Sequence, residues 1–134
     1  NEVTSIGYSA FSGCSSLSSI ELPEGVTTIE DWTFADCSSL SSIELSETVT
    51  SIGNYVFSYC LGLTSITIPS SVTAIGSCAF QGCIALMPIV IPDSVTTIEY
   101  NAFYGCNSLT RIEIPGNCNI DNTRLPAGCQ VTRR

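Results

Sequence analysis

The sequence predicts a repeat solenoid, mainly β, in which short strands stack into a parallel concave sheet and are joined by short helical or 3₁₀ turns. Its first sign is a strict period. Stepping by 23 residues from Phe80 reaches Phe11, Phe34, Phe57 and Phe103, and stepping from Cys83 reaches Cys14, Cys37, Cys60 and Cys106. A second sign is that seven apolar or thiol columns recur in all five copies, in the pattern V-T-x-I-x-x-x-x-F-x-x-C-x-x-L-x-x-I-x-[IL]. One unit cannot bury these columns alone, whereas stacked units align each column with itself and form one interior.

The full copies run Val3–Gly25, Val26–Thr48, Val49–Ser71, Val72–Ser94 and Val95–Asn117. Residues 1–117 are thus five repeats, and residues 118–134 are a degenerate sixth that serves as a C-terminal cap. Within a copy, Leu63 to Ile68 ends in period-two alternation, with Ile66 and Ile68 inward, which is a strand signal. Strands are expected from Leu17, Leu40, Leu63, Leu86 and Leu109. Pro23, Pro69, Pro92 and Pro115 follow four of them, and proline cannot donate to a ladder, so each strand ends there. The next extended piece, V-T-x-I, supplies an opposite wall. Between it and the Cys lies a stretch with one apolar plug, such as Asn101 to Cys106, which suits a single tight turn. In the tail, the period places Cys118, Asp121 and Pro126 where Val, Ile and Phe stood and returns Cys129 to its own column. A terminal unit can be this polar because its outer side faces water.

The run C-x-x-L-x-x-I-x-[IL]-P followed by V-T-x-I-x-x-x-x-F resembles the BspA-like leucine-rich repeat family over residues 3–117. The resemblance implies a curved, right-handed solenoid of the kind found in bacterial surface and secreted proteins. It also implies an extracellular or cell-surface location and a role in adhesion or protein binding. Members usually carry many more repeats. Asn1 and Glu2 lead straight into the pattern, so the chain reads as a segment of something longer.

Composition narrows the function classes. The formal net charge is −8, Lys is absent, and the four Arg lie at positions 111, 124, 133 and 134. Nucleic acid is not an expected partner, because phosphate binding needs clustered cations. The apolar runs are far shorter than the ~20 residues a membrane helix needs, so the chain is not membrane-spanning. No His is present, which removes Ser-His and Cys-His nucleophile pairs. Glu21, Glu44 and Glu113 share an outward column, and the first two could in principle act as acid and base. The reading adopted is a solvated acidic surface, with no enzyme activity and no cofactor.

Eight cysteines invite a disulfide reading, yet Cys14, Cys37, Cys60, Cys83 and Cys106 fill one interior column and read as buried thiols. Cys78 shares the column of Ser9, Trp32, Tyr55 and Asn101, which looks exposed, so it is the thiol expected to react first. For Cys118 and Cys129, a mutual disulfide and two free thiols both remain open. A metal site is not expected, since there is no C-x-x-C pair and no His to complete a tetrahedral set.

Two surfaces are candidate binding sites. On the sheet, the outward columns are mostly Ser, Thr and Glu, but the fourth copy offers Met87, Pro88 and Val90, edged by Arg111 and Glu113 of the fifth. A small apolar strip in a polar field marks a contact surface for a protein ligand. On the turn side, Trp32 and Tyr55 share a column and Tyr59 follows four residues on. These rings either stack on a sugar or pack as a seam between turns. The leading expectation is a non-catalytic binding or adhesion module. The alternatives are a glycan-binding accessory domain of a larger extracellular enzyme and a ligand-free spacer.

Overall fold

The computed structural model describes residues 3–120 and 124–134. Ten strands in chain order are β1 (Ser5–Ile6), β2 (Ser19–Glu21), β3 (Thr28–Ile29), β4 (Ser42–Glu44), β5 (Ser51–Ile52), β6 (Ala74–Ile75), β7 (Ile89–Val90), β8 (Thr97–Ile98), β9 (Arg111–Ile114) and β10 (Gln130–Arg133). All pairings are parallel. The chain winds as a β-solenoid of about five coils, with no helix among the described residues.

The V-T-x-I segments build the continuous wall, a five-stranded sheet in the order β1-β3-β5-β6-β8. Every pairing in it has the sequence period, from Ser5 with Thr28 to Ala74 with Thr97. The recurring Thr explains itself here. Thr50 sends both its N–H (2.9 Å) and its hydroxyl (3.1 Å) to the Thr27 carbonyl, and Thr73 and Thr96 repeat the double contact one coil further on. One carbonyl thus takes two donors, and the register is held outside as well as inside the core.

The opposite face is interrupted. β2 pairs with β4, and β7, β9 and β10 form a second sheet, but residues 64–68 of the third copy form no strand, contrary to the strand expected from Leu63. On one side of this gap stands Pro88, which has no N–H to give a ladder. Met87 N–H still reaches the Thr64 carbonyl at 2.9 Å, so the coils stay in contact.

The tight turn on the third side is a chain of linked turns in which neighbouring N–H groups take different jobs. Ala79, Gln81 and Cys83 donate back three residues, while Cys78, Phe80 and Gly82 donate to carbonyls of Tyr100, Ala102 and Tyr104 in the next coil. A continuous 3₁₀ run would use every N–H locally; here half of them stitch the stack instead. The geometry requires left-handed backbone at two columns. One holds Ser9, Trp32, Tyr55, Cys78 and Asn101, and the other Gly13, Asp36, Tyr59, Gly82 and Gly105.

Inside, Phe34, Phe57, Phe80 and Phe103 are fully buried and stack with centroids 5.2–5.7 Å apart. Cys37, Cys60, Cys83 and Cys106 lie beside them with no exposure. Each thiol donates to the Phe carbonyl of the preceding coil, at 3.1, 3.2, 3.0 and 3.0 Å respectively. The same carbonyl already accepts a local N–H, so the thiol fills its second lone pair, a contact Ala could not make. Cys14 corrects the expectation of five buried thiols. It is exposed, because among the described residues no coil lies on its outer side to cover it or offer a carbonyl.

In the tail, β10 pairs with β9 with Gln130 opposite Arg111, an offset of 19 rather than 23. Cys118 and Cys129 both occupy their expected turns, their backbone N–H groups donating to the carbonyls of Pro115 and Pro126, but β10 starts one residue after Cys129, whereas β9 starts five after Cys106. The Leu-bearing connection is thus four residues shorter. All four residues of β10 are exposed. Cys118 and Cys129 are free thiols in separate columns, and Cys129 lies near Cys106 instead. The expected position of Asp121 lies outside the described residues.

Candidate functional site

Parallel pairing of β7 with β9 sets Ile89 against Ile112 and Val90 against Glu113. Ile89 and Ile112 point into the core and are buried, so alternation turns Pro88, Val90, Arg111 and Glu113 to the outer face. Met87 and Val90 are 55% and 60% exposed, and Pro88 is exposed between them. These apolar groups sit on hydrogen-bonded backbone, which presents them without an ordering cost at binding.

The charged edge differs from the expected pair of Arg111 with Glu113. Glu113 instead accepts from Arg134 Nη1 at 3.0 Å, while Arg134 Nη2 grips Asp93 Oδ1 at 2.7 Å. The shortened tail causes this, since the register that places Arg133 beside Ile114 carries Arg134 over the end of β9. The hydrogen bonds to Asp93 and then Glu113 raise the Arg134 pKa further above its ordinary value. Arg111 remains exposed at the strip's rim.

The aromatic candidates do converge. Trp32 and Tyr55 stack with centroids 4.1 Å apart and planes 2° from parallel. Tyr59 lies across Gly82, where an added Cβ would meet the ring at 2.5 Å. The Cys78 thiol beside Tyr55 raises the hydroxyl's pKa, followed by smaller effects of burial, Tyr100 and Tyr59. Cys78 is therefore buried at 4% exposure, not exposed as its column suggested. Its small side chain lies beside the larger Tyr55 ring and is covered, where Ser9 and Trp32 of the same column are exposed. The same run of turns also presents Tyr8, Tyr100 and Tyr104, at 70%, 56% and 46% exposure, which the sequence reading passed over. Tyr8 and Tyr100 share a column with the polar Asp31, Asn54 and Ser77, which marks it as outward.

Thiol reactivity follows from these placements. Alkylation of the folded chain is expected to label Cys14 first and Cys129 next, with Cys78 slow and Cys60, Cys83 and Cys106 last. Mass spectrometry of timed samples checks the order, and early labelling of Cys60 would contradict the stack.

Glu21 and Glu44 stand opposite one another in register, lining an open cavity of about 320 Å³ with Leu22, Pro23, Glu24, Leu45 and Ser46. No group of three or more His, Cys, Asp or Glu is placed to hold a metal ion among the described residues. Nor do they include a helix long and apolar enough to cross a membrane.

A stack of 23-residue coils with a Leu, Ile and Cys interior defines a solenoid of the leucine-rich-repeat class. A match to the BspA type leucine rich repeat region, in six copies, covers residues 1–109 and 50–130. The chain belongs to the BspA-type leucine-rich repeat family. Among solved structures it is similar to the leucine rich repeat protein of T. pallidum, at 28% identity and TM-score 0.82 over 98% of this chain and 67% of that one. It is also similar to a leucine-rich repeat protein of Bacteroides ovatus, at 30% identity and TM-score 0.75 over 98% of this chain and 43% of that one. A leucine rich cell surface protein of Faecalibacterium prausnitzii matches at 31% identity and TM-score 0.76, over 87% of this chain and 32% of that one. The chain thus spans less than half the length of the last two. No curated relative matches it.

Proposed function

We propose that this chain is a non-catalytic binding module of a cell-surface or secreted protein, and that a protein partner docks on the outer face of β7 and β9. The observation that carries the reading is the Met87, Pro88 and Val90 strip, an apolar patch on rigid backbone in a field of Ser, Thr and Glu. Apolar anchors with a charged rim are what a small protein interface uses. Here the rim is Arg111 and the Glu113–Arg134 pair. The similarity to a protein described as a cell surface protein supports the location.

Met87→Ser combined with Val90→Glu tests it. Both side chains are mostly in water, so thermal stability should hardly change. Affinity for a protein captured from a host or microbial surface extract should fall at least about tenfold, the scale of losing a central anchor. Undiminished binding would move the site elsewhere, and no binding to any extract would favour a spacer.

A further inference from the structure

Trp32, Tyr55 and Tyr59 all adopt left-handed backbone, with φ of 67°, 60° and 58°. Other copies meet the same two columns with Ser9, Cys78 and Asn101 or with Gly13, Asp36, Gly82 and Gly105. The fold therefore asks for a small or left-handed-tolerant residue, and a bulky ring there is held against its preference. Such backbone persists only where the surrounding turns over-determine it, and it clusters at ligand sites. Three such aromatics occur together, on adjoining coils two and three, and two of them are stacked into one flat block.

The block is open on one side. Tyr55 covers one face of Trp32, and the opposite face points toward the first coil, where the column is occupied by Ser9, too short to cover an indole. Trp32 is accordingly 43% exposed. The step between neighbouring coils is about 4.8 Å, close to the 4.1 Å separation of the two rings, so one more flat ring continues the stack. On the first-coil side the chain presents Ser9, whose N–H donates to the Asp31 carbonyl at 3.2 Å, and next to it the exposed Tyr8, while the Asp31 carboxylate turns to the third coil, where its Oδ1 accepts the Asn54 N–H at 2.8 Å.

From this geometry we propose that Trp32 and Tyr55, with Tyr59 beside them, form a carbohydrate-binding platform that stacks the apolar face of a neutral pyranose ring. This function goes beyond the protein docking proposed above and uses a different surface. A pyranose has the required shape, a flat C–H face for the open indole and hydroxyls at its edge for polar groups of the first coil such as Ser9. A protein partner is better served by the aliphatic anchors Met87 and Val90 with their charged rim, which this flat ring face lacks. The chain's net charge of −8 selects against anionic sugars.

Trp32 is the only tryptophan, so its fluorescence reports on this site alone. The whole chain should be titrated with neutral gluco-, manno- and galacto-oligosaccharides and, in parallel, with hyaluronan oligosaccharides. A saturable change is expected with at least one neutral series and not with hyaluronan. Electrophoresis through gels containing the matching neutral polysaccharide should retard the native chain. Trp32→Gly suits the backbone, so it should fold at least as stably and lose the retardation. Trp32→Phe should recover most of it, and Tyr55→Asn should weaken binding roughly tenfold. Met87→Ser with Val90→Glu should bind sugar as the native chain does, so this proposal and the protein-docking reading fail separately. Absence of a response to every neutral series, retardation that survives Trp32→Gly, or preference for hyaluronan would each overturn the proposal.

Discussion

Replacing Phe57 by Ala is expected to lower stability by about 3–5 kcal/mol, the range for emptying a buried Phe site. Phe57 has no exposure and is stacked between Phe34 at 5.7 Å and Phe80 at 5.2 Å, so its removal breaks two ring contacts and leaves a hole walled by three coils. Collapse cannot fill it, because the turn backbone is tied to both neighbours, from Phe34 N–H to the Val56 carbonyl and from Phe57 N–H to that of Ala79. Phe11→Ala should cost clearly less. Phe11 is only partly buried and stacks on one side, against Phe34 at 5.4 Å. Urea unfolding of the two variants gives the comparison; equal losses would mean that the coils do not share one interior.

Alkaline pH is expected to unfold the chain steeply, because its buried thiols resist ionisation. Burial is the largest cause that pushes Cys60 and Cys106 up to about 12 and Cys83 well above its ordinary value of 9. A thiol raised in the folded state favours folding nowhere; it opposes folding once the unfolded thiol can ionise. Above pH 9 the unfolded chain holds fewer protons than the folded one, so stability falls as pH rises, up to the folded value near 12. Each such thiol contributes a slope of up to about 1.4 kcal/mol per pH unit. Cys60→Ser keeps a donor for the Phe34 carbonyl and removes the titrating group, so denaturation curves between pH 8 and 11 should flatten relative to the native chain. An unchanged slope would place the loss in the tyrosines instead.

Most of the stack was legible in the residues, because the period states which side chains must share an interior. The Phe, Leu and Ile columns went inside, and the V-T-x-I wall formed where it was read. What the period does not encode is how far a small side chain is covered by larger neighbours in its column. Cys78 looked exposed because its column carries Trp32 and Tyr55, but its thiol is much smaller than those rings and lies covered beside Tyr55. Position in the stack is a second blind spot: Cys14 has the sequence context of Cys60, but no described coil lies on its outer side. The tail hid a third. Counting by 23 locates Cys129, yet the four-residue shortening that follows places Arg134 on Glu113, an ion pair no column could announce. The apolar strip itself was readable, since Met87, Pro88 and Val90 interrupt columns otherwise filled by polar groups.

The proposed docking surface is tested most directly by amide hydrogen exchange on the chain alone and in complex with a protein captured on it. The account predicts added protection at residues 87–90 and 111–113, with the turns at 30–36 and 53–59 unchanged. Protection confined to those turns, with β7 and β9 exchanging as in the free chain, would contradict it.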